Sequence, residues 1–152
     1  RIEMFNCEEG HPNVVKPGKR PRTTLINYMA RKDGQPVMTI GCPGGDNQAQ
    51  ADVQLVLNVL VFGMNPQEAV EAPRFASQSV VNSFYPHTYL PGRLDLEPGI
   101  PESTADALRA MGHDIDRAAN CGLGATVSVR DPKTGHLSTG GDPRRACYAI
   151  GL

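Results

Sequence analysis

The chain has 152 residues, with 15 Lys and Arg against 16 Asp and Glu, and a formal net charge of −1 with neutral histidines. That length suffices for one domain with a sizeable core. The near-zero balance, free of any basic or acidic block, argues against nucleic acid or a membrane surface as the main partner.

Sixteen glycines and thirteen prolines, roughly a fifth of the residues, describe a globular but loop-rich protein. The first residue is Arg1, and nothing near it resembles a signal peptide. The expectation is a processed end, or a boundary within a longer chain. Residues 1–22 read as irregular, because His11-Pro12, Lys16-Pro17-Gly18 and Arg20-Pro21 block helix and set turns. Thr24 to Ala30 has strand character, Asp33-Gly34 makes a turn, and Val37 to Ile40 returns as the second arm of a hairpin. Gly41-Cys42-Pro43-Gly44-Gly45-Asp46 ends that arm, and a helix pattern follows at once. Val53, Val56, Leu57 and Leu60 recur at helical spacing, with Leu55, Val59 and Phe62 in an adjacent stripe, so the helix is expected to be buried. The run from Val53 to Phe62 is still only about half of a membrane span.

Gly63 fits a left-handed cap for that helix. Asn65-Pro66-Gln67-Glu68 then supplies an N-cap, a first-turn proline and a capping-box glutamate for a short helix that Pro73 stops. From Arg74 to Gly92 the chain reads as irregular. A short strand, Leu94 to Glu97, precedes a helix from Glu102 to Met111, with Gly112 as its cap. Ala125 to Arg130 alternates as a strand, Asp131 to Gly135 turns, and His136 to Thr139 pairs back. The glycines at 140 and 141 are expected to break that strand before a last apolar run, Cys147 to Leu152. Antiparallel strands with clustered helices predict an α+β domain rather than a parallel α/β sheet.

The strongest local chemistry lies at Pro43-Gly44-Gly45-Asp46. Successive glycines leave backbone N–H groups unobstructed, and a helix N-terminus behind them adds positive potential. Such a turn suits a phosphate, a carboxylate or the oxyanion of an acyl-transfer intermediate, although a plain strand-to-helix turn has the same sequence. The spacing is neither that of a P-loop nor that of a dinucleotide fingerprint. No GxSxG elbow is present, and Cys42 has no readable His–carboxylate partner. The four cysteines are widely separated and the four histidines scattered, so neither a zinc site nor another metal or cofactor is expected. Arg144-Arg145 could bind a carboxylate, but an internal salt bridge is the more economical reading.

Taken together, several segments resemble the small, catalytic subunit of γ-glutamyltransferases and their acylase-like relatives. They are Pro17-Gly18-Lys19-Arg20-Pro21 with the hydroxyl pair Thr23-Thr24, then Gly41-Cys42-Pro43-Gly44-Gly45, then Leu57 to Met64. Gln67 to Arg74 and Gly141-Asp142-Pro143-Arg144-Arg145 complete the ordered set, which covers about His11 to Leu152. The resemblance implies an N-terminal-nucleophile (Ntn) hydrolase, with residues 1–152 a single partial domain of an αββα four-layer sandwich. In that family a precursor cleaves itself, and the freed N-terminal Thr attacks a γ-glutamyl amide such as that of glutathione. Water or an amino acceptor then resolves the acyl-enzyme. By carry-over, Gly44 and Gly45 supply the oxyanion-hole N–H groups, and Thr23 and Thr24 hold the substrate α-carboxylate.

The departures concern substrate and completeness. Met4 falls where the family's Asp binds the substrate α-amino group, and Met4 cannot accept an ammonium hydrogen bond. Glu3 could replace it if the register slips by one residue. Asp46-Asn47 stands where small-polar and basic residues are usual, which points toward the acylase-like branch. The resemblance places the nucleophilic Thr several strands upstream of the PGKRP motif, before Arg1, so the nucleophile is expected to be absent from this chain; neither Thr23 nor Thr24 is N-terminal. The resemblance therefore makes the rest of the small subunit and the large subunit of the same precursor the expected partners, with a small-molecule amide as substrate. The chain alone is expected to be inactive. The alternatives are an acylase acting on a non-glutamyl amide and a degenerate anion-binding module. Localisation stays open between periplasm and cell interior.

Overall fold

The structure, a computed structural model, describes residues 4–20, 22–121 and 124–150. Strands β1 (Asn27–Lys32) and β2 (Gln35–Gly41) form the expected hairpin. Asp33 and Gly34 have φ of 50° and 76°, the paired positive angles of a two-residue turn that matches strand twist. β1 starts later than its pattern suggests, because the Thr24 carbonyl is taken by the Gln48 side chain at 2.5 Å instead of a ladder. β6 (Thr126–Arg130) and β7 (Leu137–Gly141) complete a four-stranded antiparallel sheet in the order β1-β2-β6-β7.

One face of this sheet carries the core. Met38, Ile40 and Val127 point the same way and pack on Ala51 and Leu55 of α1 (Gln48–Leu60) and Val70 of α2 (Pro66–Glu71). Full burial of such side chains contributes about 1.5–3 kcal/mol each. The opposite face, including Met29 and Thr39, is exposed. This sheet and the helices on it form one sheet layer and one helical layer, the mixed α+β architecture expected. No helix among the described residues is long and apolar enough to cross a membrane.

The α1 expectation needs correction. Only Gln48, Ala51, Asp52 and Leu55 are buried, whereas Val53, Leu60, Val61 and Phe62 are half or more exposed. A broad apolar stripe reports how much a helix could bury, and a single sheet covers only its narrow inward edge. The reading of α2 holds in detail. Asn65 accepts the Glu68 N–H and Glu68 accepts the Asn65 N–H, each at 2.9 Å, with Pro66 in the first turn.

A second sheet was largely hidden from the sequence. β3 (Phe75–Ser77), inside the stretch read as irregular, pairs antiparallel with β4 (Arg93–Leu96). β4 in turn pairs in parallel with β5 (Asp114–Arg117), with α3 (Glu102–Ala110) crossing between them. This single parallel pair was not foreseen, because Asp-Ile-Asp-Arg carries too little apolar alternation to announce a strand. β7 also runs through Gly140 and Gly141, and residues 147–150 form no strand.

Glutamine side chains complete the strand edges. Gln50 accepts the Ser77 N–H and donates to the Ser77 carbonyl, and Gln54 does the same for Phe75. Gln67 repeats the pattern on Gly141 at the edge of the larger sheet. An amide at i and i+4 on a helix matches residues i and i+2 of an extended strand, so α1 serves as an additional partner for β3.

A buried ionic cluster fastens the two sheets together. Arg74, just before β3, pairs with Asp142, just after β7, and both are essentially inaccessible. Arg144 binds Glu97 at 2.5 Å and Asp142 at 3.1 Å, and its guanidinium also reaches the Val70 and Ala72 carbonyls. Glu97 further accepts the backbone N–H groups of Arg74 and Cys121. Burial pushes the Glu97 carboxyl up, but Arg144 and these two N–H groups outweigh it and hold the acid below its ordinary range. Asp142 behaves alike: burial opposes the charge, and Arg144, Arg74 and Ala125 more than offset it.

Candidate active site

Interior strand β2 ends at Gly41 and runs through Cys42 and Pro43 into the glycine pair. Gly45 opens a single 3-10 turn, Gly45–Asn47, which leads directly into α1. Gly45 has φ of 61°, and a Cβ there would lie 3.0 Å from Phe84 Cε2. Both the left-handed angle and the ring favour glycine at this position. Neither the Gly44 nor the Gly45 N–H donates a hydrogen bond among the described residues. Two unspent donors at a helix start form a local positive potential suited to an oxyanion.

The turn is braced from three sides. Asp46 accepts the Ser83 N–H at 2.5 Å and the Ser83 hydroxyl, and lies 3.6 Å from Arg22. Gln48, buried at the start of α1, donates to the Gly45 carbonyl at 2.9 Å as well as to Thr24. These bonds tie the segment before β1 and the 82–84 loop to the glycine pair. None of the roles of Asp46, Gln48 and Ser83 was foreseen. The buried glutamine beside a glycine turn was the one available signal.

The pair separates two open clefts. One, of about 420 Å³, is lined by Gly44, Gly45, Asn47, Gln78, Phe84 and Arg145, with Asp46, Asn82 and Cys121 completing it. The other, of about 500 Å³, has Thr24, Gly41, Gln48, Gly124, Thr126 and Cys147 among its walls and shares both glycines. Thr24 therefore stands with the glycine pair. Thr23 is exposed, and its hydroxyl accepts the Leu25 N–H at 3.1 Å rather than lining either cleft. Glu3 lies outside the described residues. Met4 is 2 % exposed, with its carbonyl bonded to the Asn13 side chain at 3.0 Å, and it lines neither cleft.

The cysteines are free thiols. Cys42 donates to Asp52 at 3.3 Å, and burial followed by the Asp52 charge pushes its thiol up to about 12. Burial and then Glu97 push Cys121 up to about 11. Both thiols stay protonated at neutral pH and are poor nucleophiles. Arg144 takes the internal salt-bridge role read for the arginine pair, while Arg145 turns to the cleft.

The helix-backed sheet and its glycine turn belong to an Ntn-hydrolase fold, shared with solved structures of acylase and gamma-glutamyltranspeptidase type. The gamma-glutamyltranspeptidase family model matches residues 1–152, and the chain belongs to that family. It is 28% identical over 154 residues to the glutathione hydrolase-like YwrD proenzyme of Bacillus subtilis (strain 168), covering 100% of this chain and 28% of that protein. It is 33% identical over 141 residues to the glutathione hydrolase proenzyme of Escherichia coli (strain K12), covering 93% of this chain and 22% of that one. Cephalosporin acylase from Bacillus halodurans superposes with a TM-score of 0.79 at 33% identity, over 95% of this chain and 25% of the acylase. The chain thus spans about a quarter of the length of these relatives, which include both hydrolase and acylase proenzymes.

Proposed function

We propose that this chain supplies the oxyanion turn and part of the acyl pocket of a threonine-dependent Ntn amidase or acyltransferase that moves a γ-glutamyl or similar acyl group. The observation that carries the reading is the pair of unspent N–H groups at Gly44 and Gly45, shared by two clefts at the start of α1. The threonine hydroxyl, from another part of the same precursor, adds to the amide carbonyl as its proton passes to a base. The carbonyl oxygen becomes an oxyanion that accepts from both glycine N–H groups, then reforms the carbonyl as the protonated amine leaves. Water or an amino acceptor displaces threonine from the resulting ester through the same oxyanion. The remainder of the small subunit and the large subunit enclose the clefts, with Thr24, Thr23 and Glu3 as candidate substrate contacts.

The side chains of this chain are compatible with that division of labour. No serine, threonine or cysteine side chain hydrogen-bonds to a histidine side chain among the described residues, and the two buried thiols are held neutral. Met4, standing where the family's Asp would bind an α-amine, keeps an acylase-type substrate as the alternative to a γ-glutamyl one. The processed full-length protein should release p-nitroaniline from acyl p-nitroanilides, γ-glutamyl among them, and this chain by itself should release none. Turnover by the chain alone, or no turnover of any such anilide by the full-length protein, would overturn the reading.

A further inference from the structure

Glycine has the least constrained backbone of any residue, so a glycine pair does not hold its own N–H groups in one direction. At the oxyanion turn that direction is set by neighbours, and the residue after the pair is the most heavily bonded of them. One Asp46 carboxylate oxygen accepts the Ser83 N–H at 2.5 Å, and the other accepts the Ser83 hydroxyl. Ser83 is 1 % exposed, so water competes little for either bond.

The segment on the far side of this latch is preformed. Its base is closed by the Gln78 N–H on the Arg93 carbonyl and the Leu90 N–H on the Gln78 carbonyl. Its tip is closed by the Asn82 N–H on the Thr88 carbonyl, the His87 N–H on the Phe84 carbonyl and the Phe84 N–H on the Asn82 side chain. Phe84, next to the latched serine, brings its ring to 3.0 Å from where a Gly45 Cβ would stand. Gln48 meanwhile holds the Gly45 carbonyl at 2.9 Å. Helix polarity explains only part of the choice of Asp46. A carboxylate in the first helical turn is favourable, yet beside two oxyanion donors it also opposes the charge that develops on the carbonyl oxygen.

Resting on the acyl-transfer reading above, we propose that Asp46 is a positioning residue for that reaction. By latching the 82–84 loop through Ser83, it fixes the Gly45 N–H in the direction the oxyanion requires. It acts through Gly45 and not on the substrate itself.

The test uses full-length processed protein and the acyl p-nitroanilide it turns over fastest. D46A should lower the acylation rate by about 10- to 100-fold, the range of a small misplacement at a reacting centre, with KM within about threefold. S83A keeps the backbone bond and should lose about three- to tenfold. D46N keeps one acceptor and should retain more activity than D46A. In the Gly45→Pro background D46A should change acylation by less than about twofold, because the N–H it orients is gone. Additive losses, a D46N enzyme faster than wild type, or a loss confined to KM would overturn the proposal. Amide hydrogen exchange reads the latch without turnover and without the proline variant. D46A should speed exchange at Ser83 and also at Asn47 and Gln48, whose N–H groups bond the Gly44 and Gly45 carbonyls. Unchanged exchange at Asn47 and Gln48 would overturn the proposal even if activity fell. Coupled exchange in a wild type that turns over no anilide would support the latch and sink only the acyl-transfer reading.

Discussion

Replacing Asp142 with alanine is expected to destabilise the protein by about 3–5 kcal/mol, the usual cost of breaking a buried ion pair from one side. Asp142 is fully buried, pairs with Arg74 and Arg144, and accepts the Ala125 and Arg144 N–H groups. The substitution strands positive charge between the sheets and removes acceptors from two N–H groups. Urea denaturation of the full-length protein should show a large drop in midpoint, and Asp142→Asn should show a smaller one. Equal midpoints for wild type and the alanine variant would contradict the role given to the cluster. Acid should act in the same direction. Both Asp142 and Glu97 have native pKa values below their ordinary values of 3.8 and 4.5. Their contribution is therefore fully present above about pH 4.5 and is lost as pH falls through the lower native values.

Gly45→Pro is expected to lower the acylation rate of the full-length enzyme by about 10²–10³, the usual effect of losing one oxyanion donor. Proline removes the N–H and cannot adopt the observed φ of 61°. Gly45→Ala separates donor from shape, because it retains the N–H while meeting Phe84 and the left-handed penalty. Combining it with Phe84→Leu relieves the contact. The order expected in single-turnover acylation is wild type fastest, the alanine variants intermediate and proline slowest. Unchanged acylation in the proline variant would remove Gly45 from the oxyanion site.

Local features carried by short-range chemistry were legible in the sequence. The Asp33-Gly34 hairpin, the Asn65–Glu68 capping box and the helix ends at Gly63 and Gly112 all follow from backbone preferences that act over a few residues. The glycine turn was legible for the same reason. Features set by tertiary partners were not. β5 is mostly polar because its cross-strand neighbours include Arg93 and Asp95, so its pairing left no apolar period to detect. β3 is held partly by glutamine side chains from α1, a contact invisible in its own three residues. The exposed stripe of α1 shows the converse failure, since periodicity records the capacity for burial and not the presence of a partner. At the site, adjacent Arg144 and Arg145 look alike in sequence, yet the last turn sends one inward to Glu97 and the other to the cleft.

The most direct test of the oxyanion assignment is a crystal structure of the processed full-length protein bound to a boronic acid analogue of its acyl group. The tetrahedral boronate oxygen that mimics the oxyanion should lie about 2.7–3.1 Å from the backbone nitrogens of Gly44 and Gly45. A boronate oxygen held by other donors, with both glycine N–H groups unengaged, would contradict the account.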